Sequence, residues 1–198
     1  MKTLLLSAAF AAALLTPAAA SAQAVPAAVV AVVDLDRVTA ECNACKTARA
    51  SLQSQLTAFQ NRQKALATPL ETEGKSIQTA VDALNGKEPD AALKTRAQNW
   101  ETKRNQAAQE VARQQQQLQA NSQYVQKQII DKLGPIYRQV MQRRGANVLV
   151  ETGATLATSS NVDVTNDVLA ALNAAMPTIQ TQAPAAAAQP ARKQPQGR

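Results

Sequence analysis

The sequence has no histidine and very few aromatic residues. Its 198 residues include two phenylalanines, two tyrosines and one tryptophan. The absence of imidazole excludes a Ser-His-Asp triad, histidine-based acid–base catalysis and histidine-rich metal sites. No nucleophile–base pair, metal-ligand cluster or phosphate-binding loop is found in their place. The sequence therefore predicts a protein that is not an enzyme and has no cofactor.

Large side chains that could fill a core are also scarce. The apolar residues are mostly alanine, with leucine and valine, and glutamine is frequent. This composition is typical of long helices that enclose little interior. A chain with so small a core is expected to associate with other subunits.

Long apolar runs are absent except at the N-terminus. Lys2 precedes an apolar run over residues 4–15, and Ala22 or Ala24 offers a small residue at a cleavage position. The run is shorter than the roughly 20 residues that a membrane-spanning helix needs. Residues 1–24 are therefore predicted to be a signal peptide, cleaved after Ala22 or Ala24, and the mature protein is expected to be exported and soluble.

The strongest positive signal is a heptad pattern in two successive segments. Apolar spacing of this kind predicts two coiled-coil helices, and residues 85–90 between them hold the turn-forming residues. The first stripe consists of Leu52, Leu56, Phe59, Leu66, Leu70, Ile77, Ala80 and Leu84, with Gln63 and Glu73 at two further positions. The second consists of Leu93, Ala97, Trp100, Arg104, Ala107, Val111, Gln114, Leu118, Asn121 and Val125.

The two stripes match each other as the sides of an antiparallel hairpin. Facing positions in such a hairpin have residue numbers with a constant sum, and a sum of 177 pairs nearly all apolar positions with apolar ones. It also places Glu73 opposite Arg104, and Trp100 opposite Ile77. Residues 42–144 are thus predicted to form an arm about 60 Å long, with its tip near residues 85–90.

Each predicted helix of the arm contains a proline. Pro69, close to Gly74, predicts a bend or soft point in the first helix. Gly134 and Pro135 are expected to bend or interrupt the second helix near the root of the arm, since proline removes a helix hydrogen bond.

A small body is predicted on either side of the arm. Residues 29–33 and 147–151 have the composition of buried strands, residues 154–157 are a candidate third strand, and Thr165 is a candidate cap for a last helix. The body is assigned to residues 25–41 and 145–176. The Ala/Pro/Gln-rich tail, residues 177–198, is expected to be disordered. The fold class is therefore α+β, mostly α, with a long antiparallel coiled-coil hairpin inserted into a small β-containing body.

The two segments that flank the arm resemble the Skp/OmpH family of periplasmic chaperones. The matching stretches are Val-Val-Ala-Val-Val-Asp at residues 29–34 and the segment 148–169, in which Ser159-Ser160 precedes Asp-Val-Thr and Asp-Val-Leu. The resemblance implies a jellyfish-like homotrimer in the periplasm, whose arms surround a central cavity. It further implies that unfolded outer-membrane β-barrel proteins are held there without ATP and delivered for outer-membrane assembly.

Four valines are candidates for the core of the trimer, because they belong to the two predicted strands. These are Val30, Val32, Val148 and Val150.

The positive charge of the protein is concentrated on the arm. Residues 42–144 carry 16 basic and 8 acidic side chains. This excess favours attraction of acidic clients, and anionic lipid or lipopolysaccharide is a further candidate partner. The alternative is a solvated helix surface that keeps the protein soluble. Nucleic acid is not expected as a physiological partner of an exported protein. The candidate client-facing residues are Arg62, Lys64, Lys87, Lys94, Arg96, Lys103, Arg113 and Lys127.

Cys42 and Cys45 depart from the family pattern. Their spacing invites a redox interpretation, but the βαβ context of a thioredoxin-like site is missing. A structural disulfide or a pair of small buried side chains explains them better. An envelope scaffold that uses the hairpin only to separate two partners remains the alternative function.

Overall fold

The computed structural model describes residues 25–184, so the predicted signal peptide and residues 185–198 lie outside the described residues. The helices and strands follow in the order β1 Val30–Val33, α1 Leu35–Glu41, α2 Asn43–Asp82, α3 Ala91–Arg144, β2 Val148–Glu151 and α4 Thr165–Ala175. Short 3-10 turns cover Thr152–Ala154 and Ser160–Val162. The predicted class, a mostly helical α+β protein with a long hairpin between its strands, is confirmed.

The sheet contains two parallel strands. Val30 of β1 lies beside Val148 of β2, and Val32 lies beside Val150. Parallel neighbours need a long connection, and here the whole α2–α3 hairpin is that connection. The predicted third strand at residues 154–157 is wrong, because a 3-10 turn reaches Ala154 and no strand follows it. Ala154 and Ala157 offer little apolar surface to hold an added strand, and the one large apolar side chain of this stretch, Leu156, is fully exposed.

The apolar core lies where α1, the root of α3 and α4 pack on one face of the sheet. Val38, Val140 and Leu172 are each 0% exposed at its centre. Ala31 and Val33 contribute the sheet side of the same cluster. The last part of α3 thus belongs to the body as much as to the arm.

The start of α4 differs from the prediction. Thr165 is the first residue of the helix rather than its cap, which is Val164. The Thr165 hydroxyl instead accepts a hydrogen bond from the backbone N–H of Asp34 at 2.9 Å. The carboxylate of Asp163 accepts from the N–H of Thr165 at 2.8 Å. The buried end of β1 leaves the Asp34 N–H in need of an acceptor, and Thr165 provides it.

The two long helices meet at a turn whose residues suit it. Asn85 and Gly86 have positive φ angles of 49° and 85°, which asparagine and glycine adopt more readily than other residues. The side chain of Asp90 then accepts a hydrogen bond from the N–H of Leu93 at 2.7 Å, capping α3. At 40 and 54 residues, α2 and α3 are about 60 and 80 Å long.

The helices continue through both prolines. α2 contains Pro69 and α3 contains Pro135 without a break, so the interruption expected near Gly134 and Pro135 does not occur. Each proline deprives the carbonyl four residues earlier of its N–H partner. Ala65 and Asp131, which carry those carbonyls, are exposed, so water can solvate the freed oxygens.

The described part of the tail is not detached from the rest of the protein. Residues 177–184 follow α4 along the arm without forming helix or strand, where the sequence predicts disorder from residue 177. The backbone of Gln180 and that of Ala183 are hydrogen-bonded to side chains of α3.

Candidate functional site

The seam of the arm follows most of the predicted stripes, but three predicted positions are exposed instead: Leu56, Gln63 and Arg104. Leu56 is 39% exposed, and Gln55 takes its place in the seam. The side-chain amide of Asn121 donates to Gln55 Oε1 at 2.7 Å. In the predicted register, the apolar Leu56 faces the polar Asn121. The observed contact removes this mismatch, because the amide of Asn121 faces the amide of Gln55.

Trp100 occupies a notch in α2 at Gly74, three residues before Ile77, the residue predicted to face it. A Cβ built on Gly74 would lie 3.0 Å from the Trp100 ring, so the missing side chain makes room for the indole. The indole N–H donates to the carbonyl of Leu70 at 2.8 Å. Arg104 lies over the same ring, 5.1 Å from its centre, a distance suited to a cation–π contact.

Two ion pairs join the helices of the arm. Arg96 donates to both carboxylate oxygens of Glu73, at 2.7 and 3.1 Å, so the predicted partnership of Glu73 with Arg104 is wrong. Arg62 makes the same bidentate contact with Glu110, at 2.6 and 3.2 Å. Long side chains reach diagonally across the seam, which a rule of directly facing positions does not capture. The hydrogen bonds from arginine hold the pKa of both carboxyl groups below the usual range.

The eight candidate basic residues therefore fall into two groups. Arg62, Lys94, Arg96 and Lys127 each pair with a carboxylate of the same chain. Within residues 25–184, the remaining four have no carboxylate oxygen within 4 Å; they are Lys64, Lys87, Lys103 and Arg113. This second group, the free basic set, carries the positive charge that is available to a partner.

An apolar groove of about 610 Å³ lies at the root of the arm. Leu52, Val125, Ile129 and Leu133 line it, together with Ile130, which is 67% exposed. Ile130 is thus a large aliphatic side chain exposed beside an open groove.

Tyr137 lies at the inner end of this groove. Burial raises the pKa of its hydroxyl, and the negative charge of Glu151 raises it further. The phenol is therefore neutral at physiological pH and adds apolar surface to the groove.

The edge of the small sheet exposes a second apolar surface. Val29, Val30 and Val148 are 50%, 42% and 37% exposed and form what we call the edge patch. Val32 is only 3% exposed within the single chain, and Val150 is partly buried. Of the four valines predicted for a trimer core, Val30 and Val148 are therefore the ones most available to another subunit.

Cys42 and Cys45 are joined by a disulfide at the junction of α1 and α2. Both side chains are at least 95% buried against the core of the body. The sulfur of Cys42 also accepts a hydrogen bond from the N–H of Cys45 at 3.2 Å, at the first turn of α2. The pair is thus enclosed, whereas a redox centre needs an accessible sulfur.

None of the helices in residues 25–184 has the length and apolar character that crossing a membrane requires. The same residues contain no group of three or more cysteine, aspartate or glutamate side chains placed to hold a metal ion.

Residues 29–172 match the family model of OmpH-like outer membrane proteins. The chain belongs to the OmpH-like family. The match spans both strands, the complete arm and most of α4, so the resemblance seen in the flanking segments extends over the whole fold.

The fold is also similar to the crystal structure of an OmpH-like outer membrane chaperone candidate from Caulobacter crescentus CB15. The TM-score is 0.67 at 21% identity, over 84% of this chain and 96% of that chain. At this identity the likeness concerns the fold. No curated protein sequence gives a significant match.

Proposed function

We propose that this protein is an ATP-independent periplasmic holding chaperone. It binds unfolded outer-membrane proteins between protruding helical arms, prevents their aggregation and helps deliver them for assembly. Membership of the OmpH-like family supports a chaperone role. The protein is proposed to act without catalysis or cofactor.

The observation that carries the proposal is the shape and composition of the arm. Two helices of 40 and 54 residues cannot be enclosed by a body with a two-stranded sheet, so they project from it. The apolar groove at the root, with exposed Ile130, offers a place for apolar client segments. Because the groove is shallow and open, it can hold many sequences and release them without an energy source.

The free basic set adds a long-range attraction. Lys64, Lys103 and Arg113 are exposed along the arm, and within residues 25–184 no carboxylate oxygen lies within 4 Å of them. Positive charge of this kind raises the local concentration of acidic chains and weakens as salt is added. Anionic lipid or lipopolysaccharide would be attracted by the same charges.

The edge patch supports a homotrimer. Val29, Val30 and Val148 are exposed in the single chain, and covering them in a subunit contact would bury apolar surface that the small core lacks. In this assembly, residues 25–41 and 145–176 form the trimerisation body together with the root of α3, and the rest of residues 42–144 forms the arms. Light scattering coupled to size exclusion should report three times the chain mass. A folded monomer at micromolar concentration would contradict the trimer.

The chaperone activity is tested by diluting a urea-denatured porin into buffer with the mature protein and recording light scattering. We expect stoichiometric protein to suppress scattering at low salt. Reversing three free charges, with Lys64→Glu, Lys103→Glu and Arg113→Glu, should weaken suppression several-fold.

The matched control reverses three exposed basic residues nearer the root, with Lys46→Glu, Lys132→Glu and Arg138→Glu. It changes the net charge equally and should have the smaller effect. If the parent protein left scattering unchanged, the chaperone proposal would be wrong and the scaffold alternative would be favoured.

A further inference from the structure

The chain that follows α4 returns along the arm and is held there. Met176 is 4% exposed, and Ile179 packs against the core cluster. From this anchor, residues 178–184, which we call the strap, run outward over α2 and α3. The strap itself forms neither helix nor strand. From Gln180 to Ala183 it covers three residues while its partners on α3, Gln128 and Asn121, lie seven residues apart, which is the spacing of an extended chain.

Side-chain amides of α3 bind the strap by its backbone. Gln128 donates to the carbonyl of Gln180 at 2.8 Å and accepts from its N–H at 3.0 Å. The side-chain oxygen of Asn121 accepts from the N–H of Ala183 at 2.8 Å, and Gln117 donates to the Ala183 carbonyl at 3.4 Å. The three amides lie four and seven residues apart, which places them on one face of the helix.

The α2 side of the arm completes the contact through Thr181. Gln55 donates to the Thr181 carbonyl at 3.2 Å, and the hydroxyls of Ser51 and Thr181 lie 2.9 Å apart. We call Gln55, Gln117, Asn121 and Gln128 the amide ladder.

Asn121 is the central member of the ladder. It is only 3% exposed, its amide group donates to Gln55, and Gln117 also donates to its oxygen at 2.8 Å. A buried amide in a fixed network of this kind is an oriented recognition group.

Five of the six hydrogen bonds described between the arm and the strap are made to backbone atoms of the strap. Every extended polypeptide presents the same N–H and carbonyl groups, so the ladder can bind a segment with little regard to its sequence. We propose that the amide ladder is a binding site for extended polypeptide, filled in the resting protein by the strap, and that an extended segment of an unfolded client exchanges with the strap. The identity of the client rests on the proposed function; the site itself does not.

The tethered strap also limits which client segments can bind the amide ladder. An intramolecular segment competes at an effective concentration on the order of millimolar, so a client must engage other parts of the arm to displace it. A client that has folded no longer offers an extended backbone, and the strap then returns. The exchange thus couples release to folding without ATP.

The ladder is tested first without any client, by hydrogen exchange of the full-length protein. Gln128→Leu should speed exchange of the Gln180 and Ala183 amides at least tenfold, because it removes the acceptor of one and loosens the other. The matched control, Gln126→Leu, changes an exposed residue of the same helix and should leave exchange unaltered. Equal exchange in the two variants would overturn the ladder.

The exchange with client is tested by locking the strap. Ser51→Cys with Thr181→Cys replaces the two hydroxyls that lie 2.9 Å apart, so oxidised glutathione should close a disulfide between strap and arm. The locked protein should capture a urea-denatured porin at least fivefold more weakly than the same protein after reduction. The parent chain under both conditions controls for the Cys42–Cys45 bond and should change less than twofold.

The outcomes separate the two proposals. Equal capture by the locked and reduced forms, with an active parent, would overturn the exchange. A parent that captures no porin in either condition would overturn the proposed function, while the hydrogen-exchange result would still decide the ladder.

Discussion

The body and the arm differ in how densely their side chains are packed. In the body, Val38, Val140, Val168 and Leu172 are fully enclosed in a core to which β1, α1, α2, α3 and α4 all contribute. In the arm, Ile77 is the single buried side chain between residues 49 and 120. Stability therefore resides in the body, and the arm is an extended surface that can deform at little cost.

The contrast extends to how polar groups are used. The body places hydrogen bonds at junctions, where Thr165 and Asp163 join β1 to α4. The arm places them across its seam, where Arg96 and Arg62 cross between helices in contact with solvent. Exposed ion pairs of this kind add little to the free energy of folding, but they favour one alignment of α2 against α3.

The largest expected difference between the two regions is in the cost of removing a leucine. Leu172→Ala should lower the free energy of unfolding by about 2–5 kcal/mol, because it leaves a cavity in a closed core. Leu118→Ala, on the half-exposed seam, should cost less than half as much. Urea denaturation followed by circular dichroism measures both. Equal losses would contradict the division between a dense body and a thin arm.

A smaller effect is expected from filling the notch beneath Trp100. Gly74→Ala favours helix formation by about 1 kcal/mol, but its Cβ forces the indole to move and strains the bond to Leu70. We expect no net gain in stability and a shift in the emission of Trp100, the only tryptophan. Thr72→Ala, at an exposed position on the same helix, should leave the emission unchanged. An unshifted spectrum in Gly74→Ala would show that the notch is not occupied.

Acid should weaken the junction in the body by a modest amount. Hydrogen bonds from Thr165 hold the pKa of Asp163 below its usual range, and the charge of Arg37 lowers it further. A carboxyl group whose pKa is lower in the folded state stabilises the fold above its unfolded pKa, and this stabilisation is lost as the pH falls through the folded pKa. Asp163→Asn should therefore show a smaller drop in Tm between pH 6 and pH 3 than the parent. An identical drop would exclude this contribution.

The smallest effect is expected for the ion pairs of the arm. Arg96→Ala should leave stability close to that of the parent, because both partners are exposed to solvent and screened by salt. Lys103→Ala, which breaks no pair, is the control. A loss from Arg96→Ala comparable to that from Leu172→Ala would mean that the seam depends on charge.

The sequence predicts the arm well because helical periodicity is local. The seam positions recur every three or four residues, and the turn at Asn85 and Gly86 is marked by residue type alone. The ion pairs between the two helices are predicted less well. The long side chain of Arg96 reaches Glu73, although Arg96 lies about two helical turns from Arg104, the residue predicted to face Glu73.

Features that join distant segments were harder to predict. The strap was missed because a segment rich in alanine, proline and glutamine is typical of disorder, and its binding depends on backbone groups that carry no sequence signature. One signal was available: Gln117, Asn121 and Gln128 place three amides on one face of α3. The sequence predicts capping as the role of Thr165, because its actual partner, Asp34, lies 131 residues away.

The central claim is that the arm holds the client and the body only assembles the protein. Deleting residues 55–122 and closing the hairpin with a short glycine-containing turn removes the arm in register, because Gln55 and Asn121 face each other. The edge patch and the core lie outside the deletion. We expect the shortened protein to keep three times its chain mass and to lose most of its suppression of porin aggregation, because only the apolar groove at the root of the arm remains. A shortened trimer that still keeps denatured porin soluble would contradict the account.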